Sequence, residues 1–594
     1  MNSTQEPTLQ KWQVRLLRIW VRFSEIVRPS ELQATLVWAG LIGFFGAVSS
    51  VAFGKITAKL HFLFTHHAGD YVESFVLLPW WQRLLIPAIG GTLAGFTIYF
   101  GDRLKVGKSS TDYMEAIVLG DGVISSRLSL VKCASAMLSI ASGASIGREG
   151  PIVQLSAMLA SLLGRMQKMP TVRLRLLVAC GAAAGIASAY NAPIAGALFV
   201  SEIVLGSMAM ESFGPLVFSS VVATLTVRQF LGENPLYEIT VPTVRLNSNW
   251  EILLYLLLGV LAGVVAPIFL RALRGSEKLF TKIPIPPYLR LSVGGLVVGA
   301  LAIWYPEVCG NGYSVVNQIL RSDYLWYSLF LILLFKIAAT AATFGSGAVG
   351  GVFTPTLFVG ACLGCLFAHA AQYIWPGPPL VPSAFTFVGM GALLAATTHA
   401  PIMAILMLFE LTLDYQMILP LMLACVVAHY VSRGFDPKSI YAESLERKGA
   451  KTFEHQFAAL HVADLMKLDP VRIHESAPFL EVAQSFLRNR FLHLYVIDDK
   501  ESFKGVISLH DIKEYLDSPE LATLVIARDL VHEDFPTITP EAPLAHALKS
   551  FTRHDADRIP VVADNSERRL IGSISKSDII LALAEETKPE ETAH

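Results

Sequence analysis

Long apolar runs, many interrupted by glycine or proline, fill the chain from Ala34 to Ser432 and then stop. ATLVWAGLIGFFGAVSSVAFG (Ala34–Gly54), LLYLLLGVLAGVVAPIFL (Leu253–Leu270) and LWYSLFLILLFKIAATAATF (Leu325–Phe344) each come near the ~20 residues that a membrane-spanning helix needs. Several more lie between Trp80 and Ser432. Past Ser432, RGFDPKSIYAESLERKGAKTFEHQF is polar and charged, and the remainder alternates like a soluble domain, in short β-branched runs. The pattern predicts an all-α polytopic membrane domain over residues 34–445, a linker at 446–460, and a soluble α/β part whose two pieces cover 461–520 and 521–594. An arm at 1–33 precedes them.

Both large parts repeat internally. KCASAMLSIASGASIGREGP (Lys132–Pro151) lies against KIAATAATFGSGAVGGVFTP (Lys336–Pro355) without a gap, at an offset of 204. NAPIAGALFVSE (Asn191–Glu202) lies against HAPIMAILMLFE (His399–Glu410) at 208. Glycine and alanine matches arise easily between apolar helices, but the paired lysines, prolines and glutamates do not. Repeated halves with glycine- and proline-broken segments at matching positions are the pattern of a transporter. Their helix N-termini present unpaired N–H groups and positive dipole to an anion. In the soluble part, VADLMKLDPVRI (Val462–Ile473) matches ARDLVHEDFPTI (Ala527–Ile538), and each unit ends in G-x-x-S-x-x-D.

Composition strengthens the membrane reading: 53% of the residues are hydrophobic and 16% charged, against about 25% charged in ordinary soluble chains. A net charge of −1 leaves no nucleic-acid footprint. The arm carries Lys11, Arg15, Arg18, Arg22 and Arg28 against Glu6 and Glu25. It reads as a surface-lying amphipathic helix on the cytoplasmic side, and as too long and basic before the first apolar run for a secretory signal. The six cysteines form no disulfide framework, and Cys362/Cys365, the one CxxC, reads as helix packing rather than metal ligation. No HExxH, GxSxG or paired-carboxylate constellation points to an enzyme.

The chemistry concentrates in Gly147-Arg148-Glu149-Gly150-Pro151 and Gly351-Val352-Phe353-Thr354-Pro355. Glycine lets backbone approach a ligand, and proline suits a first helical turn. Such breaks aim backbone amides of Gly147, Arg148, Gly150 and Gly351 at one spot that suits an anion. Glu149, ionised, competes with the anion there; protonated, it can swing away. The plainer alternative is an Arg148–Glu149 salt bridge in a loop. Lys132 and Lys336 read either as carbonyl-capping groups or as sources of a field that favours anions. For Glu202, Glu410 and His399, paired structural roles and transport roles both stand.

GREGP, GVFTP, GAAAGIASAYNAPIAGALF and GMGALLAATTHAPI resemble, in order, the CLC family of chloride channels and chloride/proton exchangers, over essentially the whole membrane domain. The resemblance implies a homodimer with one anion pathway per subunit, two inverted halves and broken helices. It assigns the gate to Glu149, backbone anion contacts to Val352 and Phe353, and a pore hydroxyl to Tyr441. Two positions depart from the family pattern. Aligning Gly107 and Asp112 puts Lys108 where the family has a pore serine, with Ser109 or Ser110 as the other choice for that role. Many exchangers of the family carry a proton-relaying acid where this chain has Ile203, just after Glu202.

The soluble repeats resemble a tandem pair of CBS domains. That resemblance implies that Ser508/Asp511 and Ser575/Asp578 hold the ribose of an adenine nucleotide, or else that the pair is a structural, dimer-forming module without ligand. No other cofactor is called for. The expectation is a Glu149-gated chloride channel, passive and tuned by the CBS pair, in the cell inner membrane with both termini cytoplasmic. Chloride/proton exchange on the same scaffold is the alternative. A nucleotide sensor with a vestigial pore is a third reading, disfavoured by the intact GREGP and GVFTP.

Overall fold

The computed structural model describes residues 31–102, 112–206, 210–232, 237, 250–321, 324–413 and 415–443 of one compact unit (Met1–Leu445). In a second unit (Glu446–His594) it describes 461–468, 470–488, 493–508, 511–512, 524–533, 535–553, 558–564 and 568–575. Residues 1–30 of the arm expected at 1–33, the pore segment around Lys108 and Ser109, the linker at 446–460 and Asp578 lie outside the described residues.

The first unit is helical. Its first half runs α1 (Glu31–Thr65), α2 (Tyr71–Leu77), α3 (Trp80–Asp102), α4 (Tyr113–Val118), α5 (Ser126–Ala141), α6 (Glu149–Met166), α7 (Thr171–Tyr190), α8 (Pro193–Leu198) and α9 (Met210–Leu231). A π-helical turn, Phe199–Val204, extends α8. The second half runs α10 (Glu251–Lys282), α11 (Pro287–Trp304), α12 (Tyr313–Leu320), α13 (Trp326–Gly345), α14 (Phe353–Gln372), α15 (Pro382–Thr398), α16 (Pro401–Thr412) and α17 (Ile418–Phe435). Among the described residues nine helices are long and apolar enough to cross a membrane.

The two halves are inverted copies, and three sets of contacts tie them together. α3 and α11 cross on glycines. A Cβ on Gly91 would stand 2.3 Å from the Leu291 carbonyl oxygen, and one on Gly295 would stand 2.1 Å from that of Pro87. In a membrane, where water does not drive helices together, such backbone approach is what small residues provide. At the centre, α5 and α13 both end at a left-handed glycine, Gly143 (φ 94°) and Gly347 (φ 92°). Each is followed by a bond to a carbonyl one turn back (Ala144 N–H to Ser139 O, Ala348 N–H to Thr343 O), which closes the helix end. The freed segments meet as an antiparallel bridge: Gly147 N–H donates to Gly351 O at 2.8 Å, and Gly351 N–H to Gly147 O at 3.0 Å.

The third link is reciprocal capping. Glu410, near the end of α16, accepts the Ile194 and Ala195 N–H groups at 2.9 and 2.8 Å. Glu202 accepts those of Ile402 and Met403 at 3.3 and 2.7 Å. Each glutamate of one half therefore serves the unpaired N-terminal amides of a proline-initiated helix in the other. Both therefore serve as structural caps. Glu410→Ala removes the cap from two helix N-terminal amides, at about 1 kcal/mol for the lost cap. Its melting temperature in detergent should fall below that of wild type, with Glu410→Gln intermediate; an unchanged melt would remove the capping role.

The second unit holds two three-stranded sheets. Strand β2 (Arg472–His474) lies parallel to β3 (His493–Ile497), which pairs antiparallel with β4 (Phe503–Ser508). The other sheet is ordered β1 (Lys467–Leu468), β6 (Leu570–Ser575), β5 (Arg558–Val562). The repeats exchange their leading pieces. β1, from the first repeat, pairs with β6 of the second, while His532, from the second, bridges Val506 on β4 of the first. Helix α18 (Phe479–Arg488) packs Phe479, Val482 and Phe486 against the first sheet, and α19 (Leu544–Arg553) packs Leu544, Ala547 and Phe551 against the second.

Candidate functional site

Where the halves cross, Glu149 is the first residue of α6 and Phe353 the first of α14. Pro151 and Pro355 fall in those first turns, where a missing N–H removes no intrahelical bond. The antiparallel bridge brings the two N-termini together, and the Glu149 carboxylate crosses to the opposite one. Oε1 accepts the Thr354 N–H at 3.1 Å, and Oε2 accepts the Thr354 hydroxyl at 3.1 Å. Glu149 is 2% exposed. An ionised carboxylate at a helix N-terminus, on an amide with no intrahelical partner, occupies the place that a free anion would take.

A cavity of about 310 Å³ opens on one side of this carboxylate. Glu149 and Gly150, Val352 and Phe353, Tyr441 and Lys132 line it, together with Asp112 and Tyr113 at the start of α4. Asp112 caps α4 by accepting the Met114 N–H at 3.0 Å, so a third helix N-terminus faces the same space. Tyr441, in the helical turn at 440–443, stands edge-on to Phe199 with ring centroids 5.6 Å apart. The first half, the second half and the segment past α17 thus converge on one cavity.

Several residues differ from expectation. The N–H groups of Gly147 and Gly351 donate to each other's carbonyls and so do not face an anion. Their contribution is space: a Cβ on Gly147 would sit 2.1 Å from Glu149 Oε2, and one on Gly351 2.3 Å from Oε1. Arg148 forms no ion pair with Glu149 among the described residues. Its guanidinium lies 5.5 Å from the Tyr313 ring centroid, outside the cavity lining, and its Nε has no hydrogen-bond partner. Lys132 and Lys336 part company despite their matched positions. Lys132 lines the cavity, while Lys336 is fully buried, donating to the Val308 and Gly310 carbonyls at 3.0 Å each and lying over the Phe358 ring. Ile203 is a half-buried member of the apolar core. Cys362 and Cys365 are free and buried in α14.

Sequence reasoning missed Thr354, Tyr190 and Tyr313. Tyr190, the last residue of α7, places its hydroxyl 3.0 Å from Thr354 Oγ1, and the Tyr313 hydroxyl lies at 3.4 Å. The signal available was modest: a threonine inside GVFTP and a tyrosine beside NAPI, both polar in apolar runs.

In the second unit, Asp511 accepts the Ser508 N–H at 2.8 Å and faces His532 Nε2 at 3.1 Å. Ser575 is buried at the end of β6. Partial burial alone would raise the Asp511 carboxyl, but the hydrogen bonds from His532 and Ser508 hold it below its ordinary value. A depressed carboxyl contributes stability above its unfolded pKa of 3.8 and loses it as pH falls through the lower, folded value. Asp511→Asn should therefore destabilise this unit by about 1 kcal/mol at neutral pH. Wild-type and variant melts should converge in acid, and a difference that persisted at low pH would contradict the assignment.

A family model described as voltage gated chloride channel matches residues 90–433, and the CBS domain model matches 462–518 and 527–585. A ClcB-like protein of Ralstonia nicotianae is 52% identical over 416 residues, which make up 69% of this chain and 96% of that protein. The voltage-gated ClC-type chloride channel ClcB of Citrobacter koseri is 39% identical over 414 residues, covering 69% of this chain and 98% of that protein. Among solved structures, a slow cyanobacterial Cl−/H+ antiporter superposes with a TM-score of 0.63 at 26% identity, covering 70% of this chain and 98% of that one. A eukaryotic CLC transporter shares the fold over 92% of this chain and 97% of its own, with a TM-score of 0.60 at 19% identity.

Proposed function

The chain belongs to the voltage gated chloride channel family of anion-transport proteins, and from that premise we propose that it exchanges chloride for protons rather than conducting chloride passively. One observation carries the reading: the Glu149 carboxylate lies on the Thr354 amide, at the head of a cavity lined by Val352, Phe353 and Tyr441. An anion advancing through that cavity meets a fixed negative charge. Protonation removes the charge and frees the carboxyl to leave, so passage of the anion and uptake of the proton share one group. The likeness to a Cl−/H+ antiporter supports the same choice, and the passive channel expected from Ile203 gives way to it. Glu202 is tied to two amides, so the proton reaches Glu149 through water in the cavity, which has room for several molecules. In liposomes a chloride gradient should drive protons uphill. A Nernstian chloride potential indifferent to pH would overturn exchange.

We extend the proposal to a homodimer in the cell inner membrane with cytoplasmic termini. The outward apolar face of α17, with Leu419, Met422, Val426 and Tyr430 exposed, supports a protein or lipid neighbour there. We also propose that an adenine nucleotide binds the CBS pair, its ribose displacing His532 from Asp511. Titration of ATP, ADP and AMP into the full-length protein tests this, and no heat with any of the three would reject it.

A further inference from the structure

We infer that the Thr354 hydroxyl, polarised by Tyr190 and Tyr313, is a latch that holds the ionised Glu149 in the anion position and so sets how tightly chloride can bind there. The inference rests on the reading that Glu149 and chloride compete for one site.

A threonine hydroxyl has one hydrogen to donate and two lone pairs to accept. Thr354 Oγ1 has three oxygen neighbours: Glu149 Oε2 at 3.1 Å, the Tyr190 hydroxyl at 3.0 Å and the Tyr313 hydroxyl at 3.4 Å. An ionised carboxylate only accepts, so the Thr354 hydrogen must go to Glu149. Both tyrosines then donate into the two remaining lone pairs, and every position on Thr354 is filled. The arrangement suits the ionised carboxylate, which accepts at both oxygens. When Glu149 is protonated on Oε2 it becomes the donor, Thr354 must turn its hydrogen towards a tyrosine, and that tyrosine loses its acceptor.

Thr354 thus grips the carboxylate twice, through N–H and O–H, and the grip suits the charged form. The tyrosines act at second hand. By filling the lone pairs of Thr354 they leave its hydrogen no other acceptor in the triad. Tyr190 is fully buried, with its ring 5.1 Å from that of Phe353, so its hydroxyl cannot drift to water. None of Thr354, Tyr190 and Tyr313 lines the cavity, so the latch holds Glu149 from the side away from the anion. All three are positioning residues.

Chloride binding to the full-length protein in detergent, followed by calorimetry at neutral pH, tests the latch. Thr354→Val keeps the backbone amide and removes the hydroxyl. It should tighten apparent chloride affinity about tenfold, the size of one hydrogen bond to a charged group. Thr354→Ser should restore the wild-type value. Tyr190→Phe should shift affinity the same way by less, and Tyr313→Phe by less again, following their distances. In a Glu149→Ala background Thr354→Val should change nothing, because the competitor is gone. Unchanged affinity in Thr354→Val, or a shift that persists without Glu149, would overturn the latch. If Glu149→Ala itself binds chloride no more tightly than wild type, the competition reading fails instead, so the two failures are distinguishable.

Discussion

Glu149→Gln should stop chloride-driven proton movement completely while chloride still crosses the membrane. Glutamine keeps the size of the side chain and can still accept the Thr354 N–H, so the site keeps its shape. It cannot ionise, so no negative charge resists the anion and no proton is taken up when the side chain leaves. Ion-selective electrodes on liposomes report both fluxes at once. Proton uptake should fall to that of protein-free vesicles, a loss of the whole signal rather than a fraction of it. Chloride efflux should persist and lose its dependence on external pH. Retention of uphill proton movement in this variant would remove Glu149 from the coupling step, whatever its effect on chloride. A variant dead for both ions but still monodisperse would instead mean that the carboxylate is needed to shape the anion site itself.

Much of this site is legible in the sequence because it is built from backbone. SGASIGREGP and SGAVGGVFTP align without a gap, and the structure turns each letter pair into the same local geometry: left-handed Gly143 and Gly347, bridged Gly147 and Gly351, Pro151 and Pro355 in a first turn. Backbone geometry follows residue type closely at glycine and proline, so it can be read from the chain. Contacts between the halves are another matter. Thr354 reaches Glu149 across 205 residues only because the antiparallel bridge fixes the register of the two breaks. The glutamates show the same limit: Glu202 and Glu410 are plain as a matched pair, yet nothing in the chain says that each caps the other's partner helix. Lys132 and Lys336 match letter for letter and still diverge. Lys336 meets the carbonyls of a turn at Val308 and Gly310, while Lys132 meets a cavity.

One repeat signal went unread, and it carries the largest expected effect on folding. GGTLAG (Gly90–Gly95) and GGLVVG (Gly294–Gly299) stand at the same 204 offset, and they form the crossing of α3 and α11. Gly295→Ala sets two terms against each other. Alanine favours a helix over glycine by about 1 kcal/mol. Against that, the new methyl would lie 2.1 Å from the Pro87 oxygen and 2.5 Å from its carbonyl carbon. Those atoms are backbone, so no side chain can turn aside, and the helices must separate along their whole contact. Overpacking of this kind costs about 1–3 kcal/mol or more, and Gly91, Gly95 and Gly299 make the same approach, with Cβ-to-oxygen distances of 2.3, 2.0 and 2.4 Å. Separation should win: Gly295→Ala should lower the melting temperature in detergent, and Gly91→Ala combined with it should leave little monodisperse protein. Gly275 in α10 has nothing within 4 Å of its would-be Cβ, so Gly275→Ala should melt at or slightly above wild type. Equal melts for Gly275→Ala and Gly295→Ala would show that the crossing tolerates a methyl group and that the glycines answer to something other than helix approach.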